Sequence, residues 1–182
     1  DKLLCRPKKE HATTLFNHYG PTENSVVTTA CEVNSKGQPQ IPSIGRPIAN
    51  TKTYIVDPNM QLVPLGLPGE LCISGIGLAR GYLGRPSLTA EHFVPDPFSQ
   101  EPGARLYRSG DLARFLENGE IEFLGRIDRQ IKLRGFRIEL SEIEWAMLSH
   151  PAIDDIAVVL REDAPNGPSI VAYYVAVKNT SP

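Results

Sequence analysis

Short apolar runs alternate with Gly, Pro and Asn along most of this chain, a texture that predicts strands rather than helices. Runs at 13–17 and 26–29 flank Gly20-Pro21, a strong turn signal. Further strand-like runs fall at 53–56, 70–74, 106–108, 112–116 and 121–124. Together they predict a mostly β part, barrel-like or sandwiched. One short helix is expected at 87–93, opened by Pro86 and stopped before Pro95. Asn118-Gly119, between two strand-like runs, predicts a tight hairpin turn.

Beyond residue 125 the texture changes. Runs at 130–133 and 136–140 are broken at Gly135 as in a hairpin. A helix is then expected from Ser141, with Ser141 and Glu144 as a capping box and Ile143, Met147 and Leu148 as its apolar stripe. Strands at 156–160 and 170–177 complete a β, β, α, β, β order. The expected fold is α+β: a mostly β part over 1–127, then a small α+β subdomain over 128–182 that reads as truncated, since no further helix covers its last strand.

Composition narrows the function classes. The 182 residues are 41% hydrophobic, with 19 Lys and Arg against 21 Asp and Glu, a net charge of −2. No basic excess suggests nucleic acid as a partner. No run approaches the roughly 18 apolar residues of a membrane span. Cys5, Cys31 and Cys72 are odd in number and lack C-x-x-C spacing, which speaks against a disulfide framework or structural zinc and for a cytoplasmic setting.

Four ordered segments carry candidate chemistry. They are Asn17-His18-Tyr19-Gly20-Pro21-Thr22-Glu23, Gly69 to Gly75 with Ala79-Arg80-Gly81-Tyr82-Leu83, Tyr107-Arg108-Ser109-Gly110-Asp111-Leu112, and the run from Gly125 to Glu139. In this order and over most of the chain, they resemble the adenylation domains of nonribosomal peptide synthetases, in their rear portion. Four ordered motifs are far more specific than any one of them.

The resemblance implies an enzyme that joins a carboxylate to the α-phosphorus of ATP with Mg²⁺, then passes the aminoacyl group to a phosphopantetheine thiol on a carrier domain. Such chemistry rests on positioning and charge neutralisation. By resemblance Tyr19 offers a face to the purine, Thr22 a hydroxyl to a phosphate oxygen, and Glu23 a hard oxygen to Mg²⁺. Asp111 would take both ribose hydroxyls, Arg126 the ribose and phosphate end, and Phe123 would pack on the nucleoside. Each residue type also has an ordinary structural use at such positions, so the roles rest on the combined motifs.

The resemblance further implies a hinge at Asp128, about which the small subdomain rotates. It places Gly135 on a loop that swings towards the pantetheine thiol, where lack of a side chain permits close approach. His18, Val26 and Val27 fall at substrate-pocket positions, and this combination resembles proline-activating domains. The implied partners are an amino acid, a peptidyl carrier domain and other synthetase domains.

The family's phosphate loop and its catalytic lysine fall outside the matched motifs, and Lys132 and Lys178 sit in neither setting. No catalytic residue is therefore assigned, and the 182 residues alone are expected to be inactive in adenylation. The alternatives are an acyl- or aryl-CoA synthetase of the same superfamily and a non-catalytic module that docks a carrier protein. The glycines of 75–80 do not form a dinucleotide fingerprint, because Arg80 stands where the third glycine belongs. Glu142 and Glu144, two apart on a helix, do not face each other.

Overall fold

The computed structural model describes residues 14–33, 43–163 and 167–177; Cys5, Thr13 and Lys178 lie outside them. The chain divides into two units, 1–127 and 128–182. It is an α+β fold, mostly strands with two α-helices among the described residues.

In the first unit, β1 (Phe16–Tyr19), β2 (Thr29–Glu32) and β3 (Arg46–Pro47) form an antiparallel sheet in that order. A second, five-stranded antiparallel sheet holds β4 (Thr51–Val56), β5 (Gly69–Gly75), β6 (Phe93–Pro95), β7 (Arg105–Phe115) and β8 (Ile121–Arg126). A bridge from Gly45 to Ile121 joins the two sheets. The apolar run of β5 is continuous because both of its faces are covered. Leu71 joins Ile44, Ile55, Ala113 and Ile121, while Cys72 joins Val56 and Leu106. Each Leu, Ile or Val side chain among them contributes about 2 kcal/mol by leaving water.

The sequence suggests two short strands at 106–108 and 112–116, but the structure makes them one. β7 pairs with β5 along one edge, and with β6 then β8 along the other. That pairing carries the strand through Ser109 and Gly110. Its register shifts there: Cys72 faces Arg108 while Glu70 faces Leu112, leaving 109–111 as a bulge opposite Leu71. The Ser109 hydroxyl donates to the Leu71 carbonyl at 2.5 Å, and Gly110 takes φ of +70°. Bulges commonly re-aim a side chain, and here the residue re-aimed is Asp111.

The expected strand at 26–29 is also corrected. Its first residues form a turn: Val27 N–H donates to the Ser25 carbonyl at 3.0 Å around Val26, whose φ is +74°, and β2 starts only at Thr29. A helix α1 (Pro86–His92) begins with its proline, which has no N–H to leave unsatisfied. The Asn118-Gly119 turn has three loop residues rather than two, with Gly119 N–H donating to Leu116 and Leu116 N–H to Glu120.

The second unit contains the hairpin β9 (Gln130–Leu133) and β10 (Phe136–Glu139), helix α2 (Leu140–Leu148), and the hairpin β11 (Ile153–Arg161) and β12 (Ser169–Ala176). Arg134 and Gly135 both take positive φ, 52° and 86°, the requirement of a two-residue hairpin turn that glycine meets without steric cost. The expected capping box does not form. Helix α2 starts one residue earlier, with Glu139 at its N-cap and no side-chain cap bond. Glu144 is claimed elsewhere: it accepts from Val158 N–H at 2.7 Å and pairs with Arg129 at 3.0 Å. The Val158 bond and then Arg129 hold its carboxyl below the usual range.

Candidate functional site

Four of the singled-out residues meet around the bulge of β7. Tyr19, the last residue of β1, donates its hydroxyl proton to Asp111 Oδ2. Arg126, the last residue of β8, donates from Nη1 to Asp111 Oδ1 at 2.9 Å and to the Ser109 carbonyl at 2.8 Å. Asp111 N–H in turn donates to Ser109 Oγ at 3.0 Å. The rings of Tyr19 and Phe123 lie 6.2 Å apart and tilted by 36°, with Phe123 40% exposed.

The electrostatics follow from burial. Asp111 is only 7% exposed, so its charge requires partners, and one phenol and one guanidinium supply them. Burial first, then the Asp111 charge, pushes the Tyr19 phenol well above its ordinary value, so it remains a donor at neutral pH. A carboxylate has about four lone-pair directions. Two are used here, so one on each oxygen remains to accept from a pair of vicinal hydroxyls.

The turn after β1 holds the other two candidates. Thr22 is exposed and Glu23 is 8% exposed on the one-turn 3₁₀ helix Thr22–Asn24. The segment after β5 is tied to this turn: Ala79 N–H donates to the Glu23 carbonyl at 2.8 Å, Ser25 Oγ to the Gly77 carbonyl at 2.8 Å, and Tyr82 Oη to Glu23 Oε1 at 2.8 Å. That is the structural use of the glycines at 75–80. A Cβ on Gly77 would come within 2.8 Å of Asn24 Oδ1. Glu23 fits a magnesium that takes one carboxylate and fills its other positions with phosphate oxygens and water. Among the described residues no group of three or more His, Cys, Asp or Glu could form a protein-only metal cage.

The remaining candidates lie elsewhere. His18 is exposed on β1 beside Phe16, their rings 6.2 Å apart. Val26 is 67% exposed in its turn, next to the half-buried Val27. Asp128 and Gly135 belong to the second unit, where Asp128 Oδ1 accepts from Gln130 N–H at 3.0 Å. A cavity of about 480 Å³ beside Lys52, Ser74, Glu101 and Arg105 includes none of these residues. Arg105 is already committed to the Ala79 and Arg80 carbonyls, and the hydrogen-bonded cluster is therefore the better guide to chemistry.

Sequence reading missed three contributors. Ser109 shapes the bulge, Glu70 binds both Arg108 and Gly110 N–H, and Tyr82 holds Glu23. Each sits inside a recognised motif, and only the fold shows whose partner it is.

Known proteins resemble this chain over most of its length. The AMP-binding enzyme family profile matches residues 2–83. Bacitracin synthase 3 of Bacillus licheniformis is 59% identical over 164 residues, 90% of this chain and 2% of the synthase. Tyrocidine synthase 1 of Brevibacillus parabrevis is 52% identical over 169 residues, 92% of this chain and 15% of the synthase. Among solved structures, PA1221, an NRPS protein containing adenylation and PCP domains, superposes with a TM-score of 0.78 at 33% identity, over 93% of this chain and 34% of that one. The chain belongs to the AMP-binding enzymes. Within them it corresponds to the C-terminal portion of a nonribosomal peptide synthetase adenylation domain.

Proposed function

We propose that these residues form the ribose, purine and metal-holding part of an ATP-dependent, amino-acid-activating site whose product passes to a carrier-protein thiol. The observation that carries the reading is Asp111, buried, held by Tyr19 and Arg126, and left with one acceptor direction on each oxygen. Asp111 binds both ribose hydroxyls, Tyr19 and Phe123 flank the purine, and Arg126 fixes Asp111 and faces the ribose and phosphate end. Thr22 hydrogen-bonds a phosphate oxygen. Glu23 would hold Mg²⁺, which when bound supplies charge neutralisation on the polyphosphate.

The peptide-synthetase relatives favour this reading over a CoA synthetase. Asp128, at the boundary of the two units, is proposed as the hinge, and Gly135 as the close-approach point for phosphopantetheine. His18, Val26 and Val27 are proposed to line the amino-acid pocket, with proline as substrate. A cytoplasmic setting suits Cys31 and Cys72, which are both free thiols.

The test is ATP–pyrophosphate exchange by a complete adenylation domain containing these residues. Exchange is expected with proline above other amino acids, and Asp111→Ala is expected to lower kcat/KM for ATP at least tenfold through loss of charged hydrogen bonds. Exchange led by another amino acid removes proline only. No exchange with any amino acid removes the enzymatic reading in favour of a docking module. The 182 residues alone are expected to give none.

A further inference from the structure

We propose that Tyr82 is a positioning residue for metal binding, holding the Glu23 carboxylate in the direction from which it meets Mg²⁺. The inference rests on Glu23 being the metal carboxylate. It adds a residue 59 positions away that the function does not otherwise use.

The geometry is specific. Tyr82 Oη donates to Glu23 Oε1 at 2.8 Å and lies 3.5 Å from Tyr107 Oη. Tyr107 is fully buried, so the phenol is backed by a rigid neighbour. The Tyr82 ring stands edge-on to Phe93, with centroids 5.6 Å apart, and to His92 at 6.0 Å. Its backbone is pinned as well, Tyr82 N–H donating to Thr89 Oγ1 at 2.9 Å. Position 81 admits only glycine without rearrangement, since a Cβ there would lie 2.3 Å from the Thr89 methyl at φ of +145°. The hydroxyl is thus fixed from both ring and chain.

Glu23 sits on a 3₁₀ turn only three residues long, and the Tyr82 phenol reaches its carboxylate from a separate segment. A carboxylate free among rotamers must lose that freedom when a cation binds, whereas one already held has lost it beforehand. Outer partners of metal ligands act in this way, and their removal weakens metal binding without removing a ligand.

The experiment compares wild-type, Tyr82→Phe, Glu23→Gln and Tyr54→Phe forms of the complete adenylation domain. Binding of an α,β-methylene ATP analogue is measured without metal, then Mg²⁺ is titrated into the nucleotide complex by calorimetry, below the melting onset of every variant. Tyr54 pairs with Phe98, outside the cluster, and controls for loss of a phenol. Tyr82→Phe is expected to bind metal-free nucleotide like wild type while its Mg²⁺ affinity falls about threefold to tenfold, the scale of one hydrogen bond. Tyr54→Phe should leave both affinities unchanged.

Wild-type Mg²⁺ affinity in Tyr82→Phe, with Glu23→Gln impaired, overturns the positioning role and leaves Glu23 as the ligand. An equal loss of metal-free nucleotide affinity also overturns it, making Tyr82 merely structural. If Glu23→Gln itself binds Mg²⁺ like wild type, the metal reading of Glu23 and the inference fall together.

Discussion

Tyr19 and Asp111 are 92 residues apart in sequence and share one hydrogen bond that closes the end of β1 onto the bulge of β7. With Arg126 on the other oxygen, Asp111 is a buried charge with two donors of unequal kind. Removing the phenol should cost about 1 kcal/mol, while removing the guanidinium leaves a buried carboxylate without its counter-charge and should cost about 3 kcal/mol. Urea denaturation of Tyr19→Phe and Arg126→Ala should show that order. Equal costs would mean that water replaces the guanidinium.

Glu70 should matter to the site without touching nucleotide. Its Oε2 accepts from Arg108 at 2.7 Å and its Oε1 from Gly110 N–H at 3.2 Å, fixing both sides of the bulge. The Glu70 bond raises the Arg108 guanidinium further above its ordinary value. Glu70→Gln keeps the shape but loses the charge, and should raise KM for ATP severalfold with a smaller change in kcat. A variant whose ATP KM stays at the wild-type value would show that the backbone holds Asp111 unaided.

Cys72 gives a pH prediction. Burial first, and then the Glu70 charge, pushes its thiol from the ordinary 9.0 up to about 12. A group whose proton is held more tightly in the folded state contributes stability below its unfolded value and loses it as pH rises through the folded one. Stability should therefore fall between pH 9 and 12 in wild type more steeply than in Cys72→Ala. At pH 8 the native thiol should resist iodoacetamide, and labelling at the rate of the unfolded chain would contradict this burial.

Much of this was legible in the sequence because local chemistry dictated it. Pro86 opens a helix, Gly135 closes a hairpin, and short apolar runs such as 53–56 find their strands. What failed did so where distant partners decide. Ser109-Gly110 looks like a break, yet β5, β6 and β8 hold β7 together across it. Ser141-x-x-Glu144 looks like a capping box, yet β11 and Arg129 claim the glutamate. The same limit applies to the site. Motifs named Tyr19, Asp111 and Arg126 one at a time, whereas their joining at one bulge, and the hold of Tyr82 on Glu23, are properties of the fold.

Val26 offers the sharpest conflict between stability and function. Its φ of +74° is a region that a β-branched residue enters only at a cost, and its side chain is 67% exposed, so packing does not repay that cost. The preceding Ser25 is also left-handed, at 52°, and Val27 N–H closes the turn on its carbonyl. Its proposed place in the amino-acid pocket would give that strain a use. Val26→Gly should therefore stabilise the domain by about 1 kcal/mol, the relief of left-handed strain less the added chain entropy of glycine. The same change removes one wall of the proposed pocket. Preference for proline over smaller amino acids in pyrophosphate exchange should then drop by roughly tenfold, the scale of one or two lost apolar contacts. Gained stability with unchanged preference would take Val26 out of the pocket, and lost stability would show that the turn prefers its valine.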